Sequence, residues 1–127
     1  MGGPIKLTID DPQTHAIIGA AMAVHNEIGN GFLESVYKWA LAIAFEERSI
    51  PFAREVRLPI EYHGHVCPVR YRVDFICYGN VIVEIKAIPA ITPQAHWQAI
   101  SYVKAAKQER GLLINFGATS LQHKRCT

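Results

Sequence analysis

The stretch RVDFICYGNVIVEIK, residues 72–86, contains the pattern that decides how this chain folds. Its second half, VIVEIK, is typical of a β-strand, in which alternate side chains point to opposite faces. Glu84 and Lys86 therefore share a face with Ile82, in a segment otherwise made of Val and Ile. A strand this apolar is normally central, and charges there must be paired, bound to a metal or placed at an end of the sheet.

Asp74 precedes Glu84 on the preceding predicted strand. A three-residue loop over residues 78–80 would place the two carboxylates opposite each other. Opposed carboxylates about 5 Å apart repel unless a cation lies between them. Their hard oxygen ligands favour Mg²⁺, with Mn²⁺ as the alternative ion. Lys86 would then help to neutralise the site and orient a nucleophilic water.

The same spacing has a purely structural interpretation. In a surface hairpin, Lys86 would form an ordinary cross-strand ion pair with Asp74 or Glu84, and no metal would be needed. The pattern is short and its residue types are common, so taken alone it does not choose between the two.

The remaining sequence predicts an α/β domain with a mixed sheet flanked by helices, in the order αα-βββ(β)-α-β. Apolar residues recurring every three or four positions predict helices over about 12–28, about 33–48 and from Thr92 onward. Strands are expected over 56–60, 66–71, 73–78, 81–87 and 111–116, with a short edge strand within 119–127. We expect one domain over residues 1–127.

Composition restricts the class of protein. Half of the 127 residues are apolar, which excludes intrinsic disorder, and 13 Lys and Arg against 11 Asp and Glu leave a net charge of +2. This charge is too small to argue for nucleic-acid binding by itself. No apolar run approaches the roughly 20 residues of a membrane span, so no membrane partner is expected. The three cysteines lack CxxC spacing, which favours a reducing, cytoplasmic location.

Five ordered motifs resemble the GxxExxY family, which is placed in the PD-(D/E)XK nuclease superfamily. The matching segments, in chain order, are GFLESVY (31–37), RVD (72–74), VEIKA (83–87), Gln98 with Tyr102, and GLLINFG (111–117). The resemblance covers about residues 12–125 and implies a restriction-endonuclease-like core. Val73 stands where the superfamily's name has a proline, which leaves the carboxylates themselves intact.

The resemblance also implies roles for individual residues. Asp74 and Glu84 would bind the metal, with the carbonyl of Ile85 as a third ligand. Lys86 would position or activate water.

Two helical residues complete the implied site, and each has a structural alternative. Glu34 would act in catalysis, as a further metal ligand or by binding a second ion; alternatively it forms a surface pair with Lys38 four residues on. Gln98 would orient the site or contact a phosphate; alternatively it caps the edge of the sheet together with Tyr102. Tyr37 and Trp97 are expected in the core.

Three functions follow. The leading one is a metal-dependent nuclease acting on DNA or RNA, which would bind weakly by itself; a homodimer would strengthen binding. The second is a non-catalytic module that binds nucleic acid or protein on the same scaffold. The third is a zinc protein built on His63, His65 and Cys67.

Two groups of basic residues have no assigned partner in the sequence. They are either phosphate contacts or solvated side chains. The groups are Arg54, Arg57, Arg70 and Arg72 on the predicted hairpin, and Lys104 with Lys107 on the last helix.

Overall fold

The computed structural model describes residues 11–127, and its elements follow the predicted order. The helices of this part of the chain are α1 (Pro12–Ile28), α2 (Glu34–Glu47) and α3 (Pro93–Ala105). The strands are β1 (Phe52–Leu58), β2 (Glu61–Tyr62), β3 (His65–Val66), β4 (Tyr71–Cys77), β5 (Val81–Lys86), β6 (Arg110–Asn115) and β7 (Gln122–Arg125). The sequence predicts a helix start at Asp10, Asp11 and Pro12, of which Asp10 lies outside the described residues.

Side-chain caps explain where α1 and α3 begin. The carboxylate of Asp11 accepts hydrogen bonds from the backbone N–H groups of Gln13 at 3.0 Å and Thr14 at 3.3 Å. The hydroxyl of Thr92 accepts one from Ala95 at 3.1 Å. Each cap is followed by a proline, which needs no hydrogen bond in the first helical turn. The predicted helix starts are confirmed.

A five-stranded sheet forms the centre of the fold, with the strand order β1-β4-β5-β6-β7. Strands β5 and β6 are parallel and the other neighbours are antiparallel, so the sheet is mixed, as predicted. Helix α3 makes the crossover that the parallel pair requires. Between β4 and β5 the chain turns over residues 78–80 and pairs Cys77 with Val81, which confirms the predicted loop.

After a turn at residues 63–65, the sequence predicts that the segment 66–71 returns as the partner of the first strand; this prediction is wrong for residues 66–70, and only Tyr71 pairs with that strand. Val66 lies in the short β3, which pairs with β2 in a separate two-stranded ribbon, residues 67–70 lie in no strand, and Tyr71 is the first residue of β4. The partner of β1 is β4. Pro68 explains the break, since proline has no N–H to donate to a strand ladder.

The sheet is buried on both faces by the helices. Helices α1 and α2 cover the face that presents Phe75, Val83 and Ile114. Helix α3 covers the opposite face, which presents Ile82 and Leu113. Tyr37 is fully buried, as predicted.

Trp97 was expected in the core, but 68% of its surface is exposed. Helix α3 buries Ala99 and Val103 instead, so its small side chains face the sheet and its tryptophan faces outward.

Strands β1 and β4 exchange faces midway along their length. Phe75 packs in the cluster under α1 and α2, whereas Val73 packs in the cluster under α3. Residues two apart in a regular strand share a face, so the chain must turn over between them. Asp74 lies at this point, and Glu55, directly across on β1, has a left-handed φ of 51°. The backbone register continues on either side of Glu55 and Asp74 but does not pair these two residues.

Within residues 11–127, no helix combines the length and the hydropathy needed to cross a membrane. Cys67, Cys77 and Cys126 are free thiols.

Candidate active site

The side chains of Asp74 and Glu84 replace backbone hydrogen bonds between β4 and β5. Regular pairing of the two strands ends at Phe75 and Val83. One residue further, the N–H of Asp74 donates to Oε2 of Glu84 at 2.7 Å, and the N–H of Ile85 donates to Oδ2 of Asp74 at 2.7 Å. The two carboxylates are therefore held next to each other by the sheet itself.

Both carboxylates are buried, with 7% of the surface of each residue exposed. Burial and the neighbouring charge of Asp74 raise the pKa of Glu84 to about 8. A raised carboxyl pKa means that the negative charge is under-compensated at this position. The alternative of an exposed surface hairpin is therefore wrong, and the pair is a place that favours added positive charge.

Lys38 reaches this site from α2, which the sequence analysis did not predict. Its Nζ lies 2.6 Å from Oδ1 of Asp74 and 3.1 Å from Oε2 of Glu34. Burial alone would lower the pKa of Lys38, but its hydrogen bonds and charge interactions with Asp74 and Glu34 raise it above the ordinary value. The pair of Lys38 with Glu34 could be predicted, because the two residues are four apart on one helix. The contact with Asp74 depends on how α2 packs on the sheet and leaves no signal in the sequence.

The segment GFLESVY forms the turn that directs Glu34 and Lys38 toward the sheet. The hydroxyl of Tyr37 donates to the carbonyl oxygen of Gly29 at 2.7 Å and accepts from the N–H of Phe32 at 3.2 Å. Its ring stacks on Phe116, with centroids 4.8 Å apart. Tyr37 thus fixes the chain between α1 and α2 immediately before the first turn of α2.

Lys86 points toward α3. Its Nζ lies 3.5 Å from Oε1 of Gln98, and both residues line a cleft of about 620 Å³. No ion pair joins Lys86 to either carboxylate within residues 11–127, so the cross-strand pair considered above does not form. The charge of Lys86 nevertheless lowers the pKa of Glu84, against the larger effects of burial and Asp74.

Tyr102, one turn after Gln98, lies on the same side of the sheet as Glu84. Its ring contacts that of Tyr71, with centroids 5.6 Å apart. Burial and the charge of Glu84 raise the pKa of its hydroxyl. The Q-x-x-x-Y pattern therefore combines one residue that contacts Lys86 with one that contacts Tyr71 and feels the charge of Glu84.

The donor set fits a hard divalent cation, with one restriction. No three His, Cys, Asp or Glu side chains of residues 11–127 lie close enough together to hold a metal ion. Glu34 thus reaches Asp74 only through Lys38. The pair of Asp74 and Glu84 still suits Mg²⁺, which is commonly bound by one or two carboxylates while waters and substrate phosphates supply the other ligands.

The same finding removes support for zinc at the ribbon. His63, His65 and Cys67 do not form a metal-binding group in the part of the chain described. The ring of His63 instead stacks on Tyr62, with centroids 4.0 Å apart.

Basic residues that the sequence analysis treated as two separate groups line adjoining clefts. Arg57, Lys104 and Lys107 line one cleft of about 710 Å³, together with Glu61. Arg57 also lines a second cleft of about 500 Å³ with Arg70. None of these four cations forms an ion pair with a described residue. Lys107 was predicted on the last helix, but it lies beyond the end of α3 at Ala105. The two groups meet where the end of α3 lies near the end of β1, which cannot be read from sequence spacing.

Comparison with known proteins shows the fold and the family of this chain. A solved structure titled "Crystal structure of SSO0001" superposes with a TM-score of 0.59 and 17% identity, covering 74% of this chain and 50% of that chain. This chain thus spans half the length of that protein, and the similarity concerns the fold alone. A model of the PD-(D/E)XK nuclease superfamily matches residues 11–126. The chain belongs to this superfamily, and its core is restriction-endonuclease-like, as expected. No curated protein matches the sequence.

Proposed function

We propose that this chain is a metal-dependent phosphodiesterase of the GxxExxY type that hydrolyses DNA or RNA in the cytoplasm. The observation that carries the proposal is the buried pair of Asp74 and Glu84, whose carboxylates are held together by the backbone of the opposite strand. Two neighbouring buried carboxylates cost stability unless a cation offsets their repulsion. Asparagine and glutamine would accept the same backbone hydrogen bonds without charge, so folding alone does not require two carboxylates here.

Asp74 and Glu84 would hold the ion, Mg²⁺ or Mn²⁺, with the Ile85 carbonyl as a further ligand. When bound, the ion supplies the positive charge that polarises a phosphate and activates water. Glu34 lies on the far side of Lys38 from Asp74 and would act as a second-ion ligand or as the partner that positions this lysine.

Lys86 and Gln98 would act on the substrate. Both line the cleft at the end of β5, where Lys86 follows Glu84 by two residues, and Gln98 Oε1 restricts the position of the Lys86 ammonium. An ammonium held there stabilises the negative charge that develops on the phosphate in the transition state. Hydrolysis forms a bond from water oxygen to phosphorus and breaks the bond to the departing sugar oxygen.

The basic clefts support a polyanionic substrate. Arg57, Arg70, Lys104 and Lys107 are available for phosphates because none is paired with a described carboxylate. Few contacts of this kind give weak binding that falls steeply with salt. A homodimer would double the number of phosphate contacts.

A nuclease assay tests the proposal. Purified protein is incubated with single-stranded, duplex and branched DNA and with RNA, in Mg²⁺, Mn²⁺ or chelator. Cleavage should require the metal and be lost in Asp74→Asn, Glu84→Gln and Lys86→Met. Glu47→Gln, which removes an exposed carboxylate in the last turn of α2, is the matched control and should retain activity. Cleavage that survives the three site substitutions would refute the proposal.

The alternative is a binding module without catalysis. The observation in its favour is that Lys38 already neutralises Asp74, so the fold does not depend on a metal. Nucleic-acid binding at low salt that is abolished by Arg57→Ala, without metal-dependent cleavage of any substrate, would establish the alternative.

A further inference from the structure

The ammonium of Lys38 occupies the position where a cation is expected. Its Nζ lies between Asp74 and Glu34, on the α2 side of the carboxylate pair. Its side chain is 20% exposed, so the contact is shielded from solvent on most sides. Within residues 11–127 the remaining ion pair joins Arg110 to Asp11 and is separate from this site.

We propose that Lys38 is a built-in counter-cation of the metal site, which binds Asp74 Oδ1 in the metal-free protein and is displaced from it by the divalent ion. This inference rests on the proposed metal site. The divalent ion must then compete with the ammonium of Lys38 for Asp74, and this competition lowers the affinity of the site for the ion.

The hydrogen bonds of Asp74 explain why the two cations compete. Its Oδ2 already accepts the N–H of Ile85, so Oδ1 is the oxygen more open to a new ligand. Lys38 lies 2.6 Å from that atom. Two cations in contact with one partly buried oxygen repel strongly, because water screens them little there.

Glu34 gives the displaced ammonium a place to go. It lies four residues before Lys38 on the same helix and is already 3.1 Å from Nζ. The flexible four-carbon side chain of lysine allows the ammonium to move onto Glu34 while the helix stays in place. The metal-free site thus keeps its charge balance, and the loaded site keeps Lys38 nearby.

Calorimetric titration with Mn²⁺ alone tests the competition. Lys38→Met removes the competing charge and should bind Mn²⁺ at least about tenfold more tightly than the wild type, within the usual range of coupling between sites. Lys38→Arg retains the charge and should bind with nearly wild-type affinity. Lys124→Met removes an exposed lysine from β7 that has no proposed role and is the matched control.

Amine labelling distinguishes displacement from a simple charge effect. Lys38 should react slowly with an acylating reagent in chelator and at least about fivefold faster in saturating Mg²⁺, because the ion separates it from Asp74. Lys124, exposed on β7, is the internal control and should react equally in both conditions. Mass spectrometry of the digested protein reads out each site, and this measurement needs no variant to fold.

The outcomes separate this inference from the proposed function. If the wild type binds Mn²⁺ but labelling of Lys38 does not change, displacement is refuted, even if Lys38→Met binds more tightly, and the metal site remains. If neither the wild type nor Lys38→Met binds Mn²⁺, the metal site itself is refuted, and the inference is refuted with it.

Discussion

The backbone N–H of Asp74 donates a hydrogen bond to Oε2 of Glu84 on the neighbouring strand, at 2.7 Å. Glu84 is therefore a structural acceptor as well as a candidate metal ligand. Its two roles can be separated by substitution, because the hydrogen bond needs an oxygen and the metal needs a negative charge.

Glu84→Gln retains the acceptor, whereas Glu84→Ala leaves the buried N–H of Asp74 without a partner. In chelator, the alanine variant should be less stable than the glutamine variant by about 1–3 kcal/mol, the cost of an unsatisfied buried group. Urea unfolding measures the difference. Equal stability of the two variants would show that the hydrogen bond contributes nothing.

Lys86→Met should lower the rate of phosphodiester cleavage by about 10²–10³-fold, the usual loss when one transition-state donor is removed. Its affinity for Mn²⁺ should change little, because Lys86 contacts Gln98 and forms no ion pair with a described carboxylate. Single-turnover kinetics and calorimetry measure the two effects, with Glu47→Gln as the control. Loss of metal binding along with activity would contradict the assigned role.

Tyr37→Phe keeps the ring stacked on Phe116 but removes the hydroxyl that bonds Gly29 and Phe32. We expect a loss of about 1–3 kcal/mol in the free energy of unfolding, since two backbone groups lose their partner. Tyr62→Phe is the matched control, because Tyr62 is exposed and should change stability little. A similar effect of both substitutions would mean that the hydroxyl of Tyr37 does not fix the turn.

Two glycine-to-alanine substitutions should have opposite effects. A Cβ on Gly117 would overlap backbone atoms of Ile88, so Gly117→Ala must shift the backbone and should destabilise the fold. Gly19 lies within α1 and has only the side chain of Arg48 nearby, at 3.9 Å. Gly19→Ala should stabilise the protein by up to about 1 kcal/mol through helix propensity. Thermal unfolding of the two variants checks the contrast, which a destabilising Gly19→Ala would contradict.

Acid should weaken the contact between α1 and β6. Burial alone would raise the pKa of Asp11, but its hydrogen bond with Arg110 and those with Thr14 lower it from 3.8 to about 2. Because the folded-state pKa is depressed, the stabilisation is fully present above pH 3.8 and is lost as the pH falls toward 2. The difference in stability between the wild type and Asp11→Asn should therefore shrink across this range, as measured by urea unfolding at several pH values. A constant difference would contradict the assignment.

The elements of the fold could be predicted where a single local signal, such as a helix cap or a loop length, was stronger than any competing one. Asp11 and Thr92 supplied caps, and the three-residue loop before Val81 fixed the register that brings Asp74 next to Glu84. The segment 66–71 was misjudged because its β-branched residues outweighed Pro68 in the interpretation. Trp97 was misjudged because a helical period locates a stripe but does not say which stripe faces the sheet.

The candidate site could be predicted only as far as strand register determines it. Asp74, Glu84 and Lys86 follow from alternation along β4 and β5, but Lys38 does not, because its contact with Asp74 depends on the packing of α2. The GxxExxY assignment and the roles of Glu34 and Gln98 stay predictions that the experiments above can test.

The replacement of two ladder bonds by carboxylates restricts how this sequence can change over evolutionary time. A descendant that gave up hydrolysis would still need an oxygen acceptor at positions 74 and 84 to satisfy the amides of the facing strand. Asparagine and glutamine meet that demand, whereas alanine leaves these amides without an acceptor. Inactive descendants of this protein should therefore carry amides at these positions more often than small apolar residues.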